Sequence, residues 1–154
     1  MEDNKKVIGN STLVSFPEVG FSDVPARVDT GARISAIWGS AAMEGSILQV
    51  TFFGEGSQLY TGQAHPFEEY EEVVISSSMG HAQKRYKVVL LVKIRGKKVR
   101  AAFTIADRSQ QVYPVLVGRN VLRGKFVVDV KKGKSLRDEE NQKIAGLQSK
   151  LKDL

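Results

Sequence analysis

Between residues 86 and 105 the chain carries two long β-rich runs joined by a tight turn, and this pairing narrows the folds open to it. Tyr86–Ile94 reads YKVVLLVKI, Lys97–Ile105 reads KKVRAAFTI, and Arg95-Gly96-Lys97-Lys98 has the composition of a hairpin turn. The flanks of the first run alternate with period two while its centre is apolar throughout, which predicts a strand buried on both faces at its middle. Shorter runs of the same kind stand at Lys6–Ile8, Leu13–Phe16, Ala26–Val28, Ser46–Phe53, Glu72–Ile75, Val115–Val117 and Lys125–Val130. Many short strands bounded by Gly, Pro, Ser or charge predict a mainly β chain, folded as a barrel or a sandwich.

Two segments break this pattern. Residues 54–71 are rich in Gly, Glu and polar residues, with His65-Pro66 inside, and read as a long loop. Residues 135–154 read as a helix: Ser135 or Asp138 offers a cap, and Ile144, Leu147, Leu151 and Leu154 recur at three- and four-residue steps. Such a helix packs on its own subunit or meets a partner. At 154 residues and 42% hydrophobic, the chain has the size and apolar content of one domain with one core.

Composition removes several function classes. No apolar run approaches the roughly 18 residues of a membrane-spanning helix, and the N-terminal MEDNKKVIGN lacks the apolar stretch of a secretion signal. The absence of cysteine removes disulfides, thiolate metal sites and a cysteine nucleophile, and fits a cytoplasmic home. The net charge of +6, from 23 Lys and Arg against 17 Asp and Glu, favours an acidic partner or reflects only a basic surface. Aromatics interleaved with basic residues would mark a nucleic-acid surface. Tyr86 beside Lys84, Arg85 and Lys87 is the best candidate and reads more simply as a strand start, which argues against nucleic acid.

The sharpest chemical signal is Val28-Asp29-Thr30-Gly31-Ala32, at the end of an expected strand. Asp29 offers a carboxylate able to activate water. Thr30 is small and hydroxylated, Gly31 lets backbone and substrate approach closely, and Ala32 keeps the wall small. Asp-Thr-Gly also serves as an ordinary structural turn. A second motif follows about 90 residues later, Tyr113-Pro114-Val115-Leu116-Val117-Gly118-Arg119-Asn120. Between the two, Val73-Val74-Ile75-Ser76-Ser77-Ser78-Met79-Gly80-His81 runs from a strand into a tip of small residues.

The first motif resembles the active-site turn of aspartic proteases, and the second resembles the retropepsin strand that crosses behind that turn and leads into a short helix. The middle segment is similar to a retropepsin flap, with a plain hairpin as the alternative. The resemblance spans about residues 24–130 of a single domain over 1–154, and leaves 135–154 as a C-terminal helical extension. It implies a closed β-barrel with short helices. It further implies Asp29 as the catalytic carboxylate, a turn shaped by Thr30, Gly31 and Ala32, and substrate contacts from Arg33, Ser77, Ser78, Met79, Gly80 and His81. Val117, Gly118, Arg119 and Asn120 become its structural support.

Within the retropepsins the chain is most similar to a bacterial and archaeal family. Its members share Asp29 to Arg33, the segment Ala106-Asp107-Arg108-Ser109, and Tyr113 to Asn120. That family has carried the label of ATP-dependent zinc protease and is associated with RimK-type ligases of the ATP-grasp class, which add glutamates to proteins. The residues here do not fit the label. There is no His-Glu-x-x-His helix, no Gly-x-x-x-x-Gly-Lys-Ser/Thr loop for ATP, and His65 and His81 have no ligand spacing, so neither metal nor cofactor is expected.

Aspartic proteolysis needs two carboxylates sharing a proton. This chain has one Asp-Thr-Gly and is too short for two lobes, so the resemblance implies a homodimer with Asp29 of each subunit on the two-fold axis. Ala32 lacks the hydroxyl that pepsin-like turns place there, which points to activity nearer neutral pH. Arg33 stands where viral enzymes carry an acid that pairs with the arginine matching Arg119. With both positions basic, either Asp107 or Asp129 neutralises one of them, or Arg33 faces the groove and takes a carboxylate of an acidic peptide or protein substrate. A non-catalytic dimeric peptide-binding module on the same fold is the alternative function.

Overall fold

The computed structural model describes residues 5–76 and 80–132. Its elements are β1 (Lys6–Ile8), β2 (Ser11–Phe16), β3 (Phe21–Val28), β4 (Ser35–Glu44), β5 (Ile47–Phe52), β6 (Ala64–Phe67), β7 (Glu71–Ser76), β8 (Ala82–Ile94), β9 (Lys97–Ala106), β10 (Val115–Val117), the single-turn helix α1 (Arg119–Leu122) and β11 (Phe126–Val128). The expected closed β-barrel is present, with six strands in the ring order β10-β3-β2-β8-β9-β4. Closure depends on β10. It pairs parallel with β3, Val115 opposite Ala26, and antiparallel with β4, Val115 opposite Ile37.

The β8–β9 hairpin is the longest wall of the barrel, paired from Tyr86↔Ile105 to Ile94↔Lys97. Its two-residue turn puts both Arg95 (φ 50°) and Gly96 (φ 82°) in the left-handed region, the geometry that matches strand twist. On β8, Val88, Leu90, Val92 and Ile94 are buried, but Val89 is 52% exposed. The expected two-sided burial at the middle of this strand is therefore wrong. A barrel wall has one inner face, and the outer face at Val89 is left uncovered. Opposite, Val99, Ala101, Phe103 and Ile105 complete the inner layer, with Phe103 edge-on to Phe16 at 5.4 Å between ring centres. Each fully buried side chain of this kind contributes about 1.5–3 kcal/mol.

β4 was not among the expected strands, because Ser, Ala and Gly dilute its pattern. Its first half, Ser35 to Trp38, runs parallel to β9, and from Gly39 onward it pairs with β5. Gly39 sits at the changeover, where a Cβ would lie 2.8 Å from the Thr51 carbonyl oxygen. Within 54–71, expected as loop, β6 pairs with β5 and sets His65 opposite Val50. The His65 ring lies 5.4 Å from Phe52 and 6.3 Å from Phe21, so it belongs to the packed face of the β5–β6 extension. Burial there pushes its pKa down. The expected helix over 135–154 lies outside the described residues.

Candidate active site

The turn that follows β3 is held by hydrogen bonds from the segment that closes the barrel. The Asp29 N–H donates to the Val117 carbonyl at 2.9 Å, the Arg119 N–H to Ala32 O at 2.8 Å, and the Asn120 N–H to Arg33 O at 3.2 Å. Inside the turn, the Gly31 N–H donates to Asp29 Oδ1 at 2.9 Å and the Ala32 N–H to Asp29 O at 3.3 Å. A Cβ at Gly118 would stand 2.9 Å from both the Ala32 and Ile34 carbonyl oxygens, so only glycine fits between strand and turn.

A side-chain network locks the crossing. The Ser35 hydroxyl donates to Asn120 Oδ1 at 2.8 Å and accepts the Gly118 N–H at 2.9 Å, while the Ser35 N–H also donates to Asn120 Oδ1 at 3.0 Å. Asn120 Nδ2 donates onward to Ala102 O on β9 at 2.8 Å. Ser35 is fully buried, and every bond such a group makes counts because water cannot substitute. Sequence reasoning missed Ser35. Its one signal was a polar residue inside the otherwise apolar run Ile34 to Trp38.

The structure brings Asp29, Thr30, Gly31, Ala32 and Arg33 together with Val117, Gly118, Arg119 and Asn120. Asp29 is half-buried, and Thr30, Gly31 and Arg33 are exposed. Thr30 borders a shallow cavity of about 360 Å³ shared with Arg119, Leu122 and Phe126. The neutralisation expected from Asp107 or Asp129 does not occur. Asp107 Oδ1 accepts the Ser109 N–H at 2.9 Å and Asp129 Oδ1 the Lys131 N–H at 3.0 Å, so each carboxylate closes its own turn. Among the described residues neither Arg33 nor Arg119 joins an ion pair.

Two further cations lie on neighbouring segments. Arg27 stands two residues before Asp29 at the end of β3, opposite Leu116 of β10. Arg108, half-buried in the loop between β9 and β10, donates from Nε to the Tyr113 carbonyl at 3.0 Å. Burial and the Arg27 charge push the Arg108 pKa down, and the Asp29 carboxylate opposes that shift.

The segment expected as a flap starts as a hairpin of β7 and β8, paired from Glu71↔Lys87 to Ser76↔Ala82. Two ion pairs span its strands, the exposed Lys84–Glu72 at 3.1 Å and Lys87–Glu71 at 2.9 Å, in which Lys87 is half-buried. Gly80 has φ 80°, and His81 is exposed. Ser77, Ser78 and Met79 lie outside the described residues.

Comparison with known proteins agrees with this architecture. Residues 7–140 match the sequence model of the family described as RimB-like, retropepsin-like aspartic endopeptidase RimB. Among curated proteins, a probable alpha-L-glutamate ligase of Shewanella pealeana is 28% identical, covering 84% of this chain and 29% of the relative. One of Shewanella halifaxensis is also 28% identical, covering 99% of this chain and 35% of the relative. The chain thus spans about a third of the curated relatives it matches. A crystal structure of a protein of unknown function from Legionella pneumophila superposes with a TM-score of 0.58 at 20% identity, covering 82% of this chain and 94% of that one, which shows the shared fold. With its barrel, its clamped Asp-Thr-Gly turn and a family match over most of its length, the chain belongs to the RimB-like family of retropepsin-like aspartic endopeptidases.

Proposed function

We propose that this protein is an aspartic peptidase that hydrolyses peptide bonds as a homodimer, with Asp29 of each subunit forming the carboxylate dyad. The observation that carries this reading is the double anchoring of the turn. The backbone of Asp29 is tied to Val117, and one carboxylate oxygen is tied to the Gly31 N–H, which holds the carboxyl in a fixed, half-exposed position. Such preorganisation is what a general base needs before substrate arrives. Each chain supplies one such carboxylate, and sharing a proton takes two. In the dimer one carboxylate takes a proton from water as that water attacks the carbonyl carbon. The other gives its proton to the carbonyl oxygen, and the amine leaves when the tetrahedral intermediate collapses with a proton returned to nitrogen.

An acidic or glutamate-tailed substrate fits the +6 charge, and relatives three times longer are named as probable alpha-L-glutamate ligases. A cytoplasmic location goes with this reading, and no described helix is long and apolar enough to cross a membrane. The test is hydrolysis of a glutamate-tailed peptide and of an unbiased peptide mixture by wild type and Asp29→Asn. Cleavage by wild type alone supports the aspartic mechanism. Equal cleavage by both removes Asp29 from it, and binding without cleavage by either favours a peptide-binding module.

A further inference from the structure

On the outside of the barrel, where β2, β3 and the end of β8 adjoin, lies a groove of about 670 Å³. It is lined by the apolar Val7, Leu13 and Pro25 and by the cations Lys93, Arg95 and Lys132. Leu13 of β2 stands opposite Pro25 of β3. Strand alternation explains its exposure: Val14 faces inward and is fully buried, while Leu13 faces outward and is 55% exposed. Val7 is 41% exposed. Two large apolar side chains left in water at one groove favour an apolar group that would cover them.

The cations gather there without counter-charge. Lys93 on β8 is the direct cross-strand partner of Lys98 on β9, and both are exposed. Like charges set opposite each other destabilise a sheet. Arg95 follows in the turn of the same hairpin, and Lys6 Nζ donates to the Arg95 carbonyl at 2.6 Å, which brings another positive group to that turn. Among the described residues none of Lys6, Lys93, Arg95, Lys98 and Lys132 joins an ion pair. At the other end of β8 the pattern is reversed, with Lys84 and Lys87 each paired to a glutamate of β7. Asp23 is the one acid lining the groove, against three cations.

This chain is poorly suited to supply the missing anion. Its net charge is +6, so a second copy brings more cations than acids. Residues 133–154 follow Lys132 directly, but they hold five Lys and Arg against four Asp and Glu, and Lys134 and Arg137 come before any acid. We infer that the groove is a docking site for an acidic segment of another protein that carries an apolar side chain. The apolar group lies against Leu13 and Val7, and carboxylates meet Lys93, Arg95 and Lys132. None of these residues belongs to the Asp29 turn or to residues 77–81, so the inference goes beyond the peptidase reading and does not rest on it.

The test is binding to the full chain, followed by fluorescence anisotropy. The probe is a labelled peptide with a central Leu flanked by Glu, compared with versions in which Gln replaces Glu or Ser replaces Leu. The parent peptide is expected to bind about tenfold more tightly than the Gln version. It should bind about fivefold more tightly than the Ser version. Lys93→Gln with Arg95→Gln removes the first preference, and Leu13→Ser removes the second. Lys84→Gln with Arg85→Gln takes the same charge from the β7–β8 hairpin and leaves both preferences intact. Equal binding of the Glu and Gln peptides, or of the Leu and Ser peptides, overturns the inference, as does a preference that survives its matching substitution. Both preferences are read on wild type, so they decide even where a variant fails to fold. Displacement of the probe by single-stranded RNA, or by a peptide of residues 133–154, at lower concentration than by unlabelled parent peptide also overturns it and assigns the groove to that occupant. Wild type that binds as expected and cleaves nothing removes the peptidase reading alone.

Discussion

Ser35 and Asn120, 85 positions apart, meet through two hydrogen bonds at a single oxygen, Asn120 Oδ1. Replacing Ser35 by Ala removes the hydroxyl that also satisfies the buried Gly118 N–H. The expected loss is about 1–3 kcal/mol, the cost of an unsatisfied buried donor. Urea denaturation checks it. A midpoint unchanged from wild type would mean that the crossing is held by its backbone bonds alone.

Gly118→Ala should be at least as damaging. The added Cβ meets two carbonyl oxygens at 2.9 Å, and both belong to backbone of the turn segment, which cannot swing aside as a side chain would. Overpacking of this kind costs about 1–3 kcal/mol. Peptide hydrolysis should fall further than stability does, because the displaced atoms are those that place Asp29.

Asp29→Asn is expected to abolish hydrolysis while leaving the denaturation midpoint within about 0.5 kcal/mol of wild type. The Asn Oδ1 can still accept the Gly31 N–H bond that Asp29 accepts now. Thermal or urea melts run beside the activity assay separate a lost carboxylate from a lost fold.

A dyad built from two chains makes specific activity depend on concentration. Diluting the protein through its dimer dissociation constant should lower activity per mole, in step with the monomer fraction seen by sedimentation. Activity per mole that stays flat while the species is monomeric would rule out the shared dyad.

His65 gives stability a pH dependence of known sign. Burial lowers its folded pKa below the ordinary 6.5, so the unfolded chain binds the proton more readily. Its contribution is complete above pH 6.5 and is lost as pH falls from there through the folded value. His65→Phe should flatten this part of the curve, measured as urea midpoints between about pH 7 and pH 5.

The β class was legible because its strands carry simple patterns, while the closed barrel followed from the resemblance. Lys97–Ile105 and the flanks of Tyr86–Ile94 alternate, and a two-residue turn with Gly at its second position separates the strands they form. The paired motifs around Asp29 and Gly118 were legible because close backbone packing restricts the residues allowed there. β4 escaped because a strand that changes partners at Gly39 shows no steady period. β6 escaped because four residues containing a proline carry too little signal. Ser35 was hidden for a different reason: its role exists only through Asn120, a residue distant in sequence.

β10 is only three residues long, yet it completes the ring. Bringing it between β3 and β4 joins segments widely separated in sequence, and the entropy of closing such a loop comes due before the contacts form. Ring closure therefore belongs late in folding. Until residues 117–120 arrive, Asp29 rides on a loop with none of its cross-chain anchors. A chain emerging from the ribosome thus carries its most reactive-looking turn in a slack state, and tightens it only after nearly the whole barrel has been synthesised.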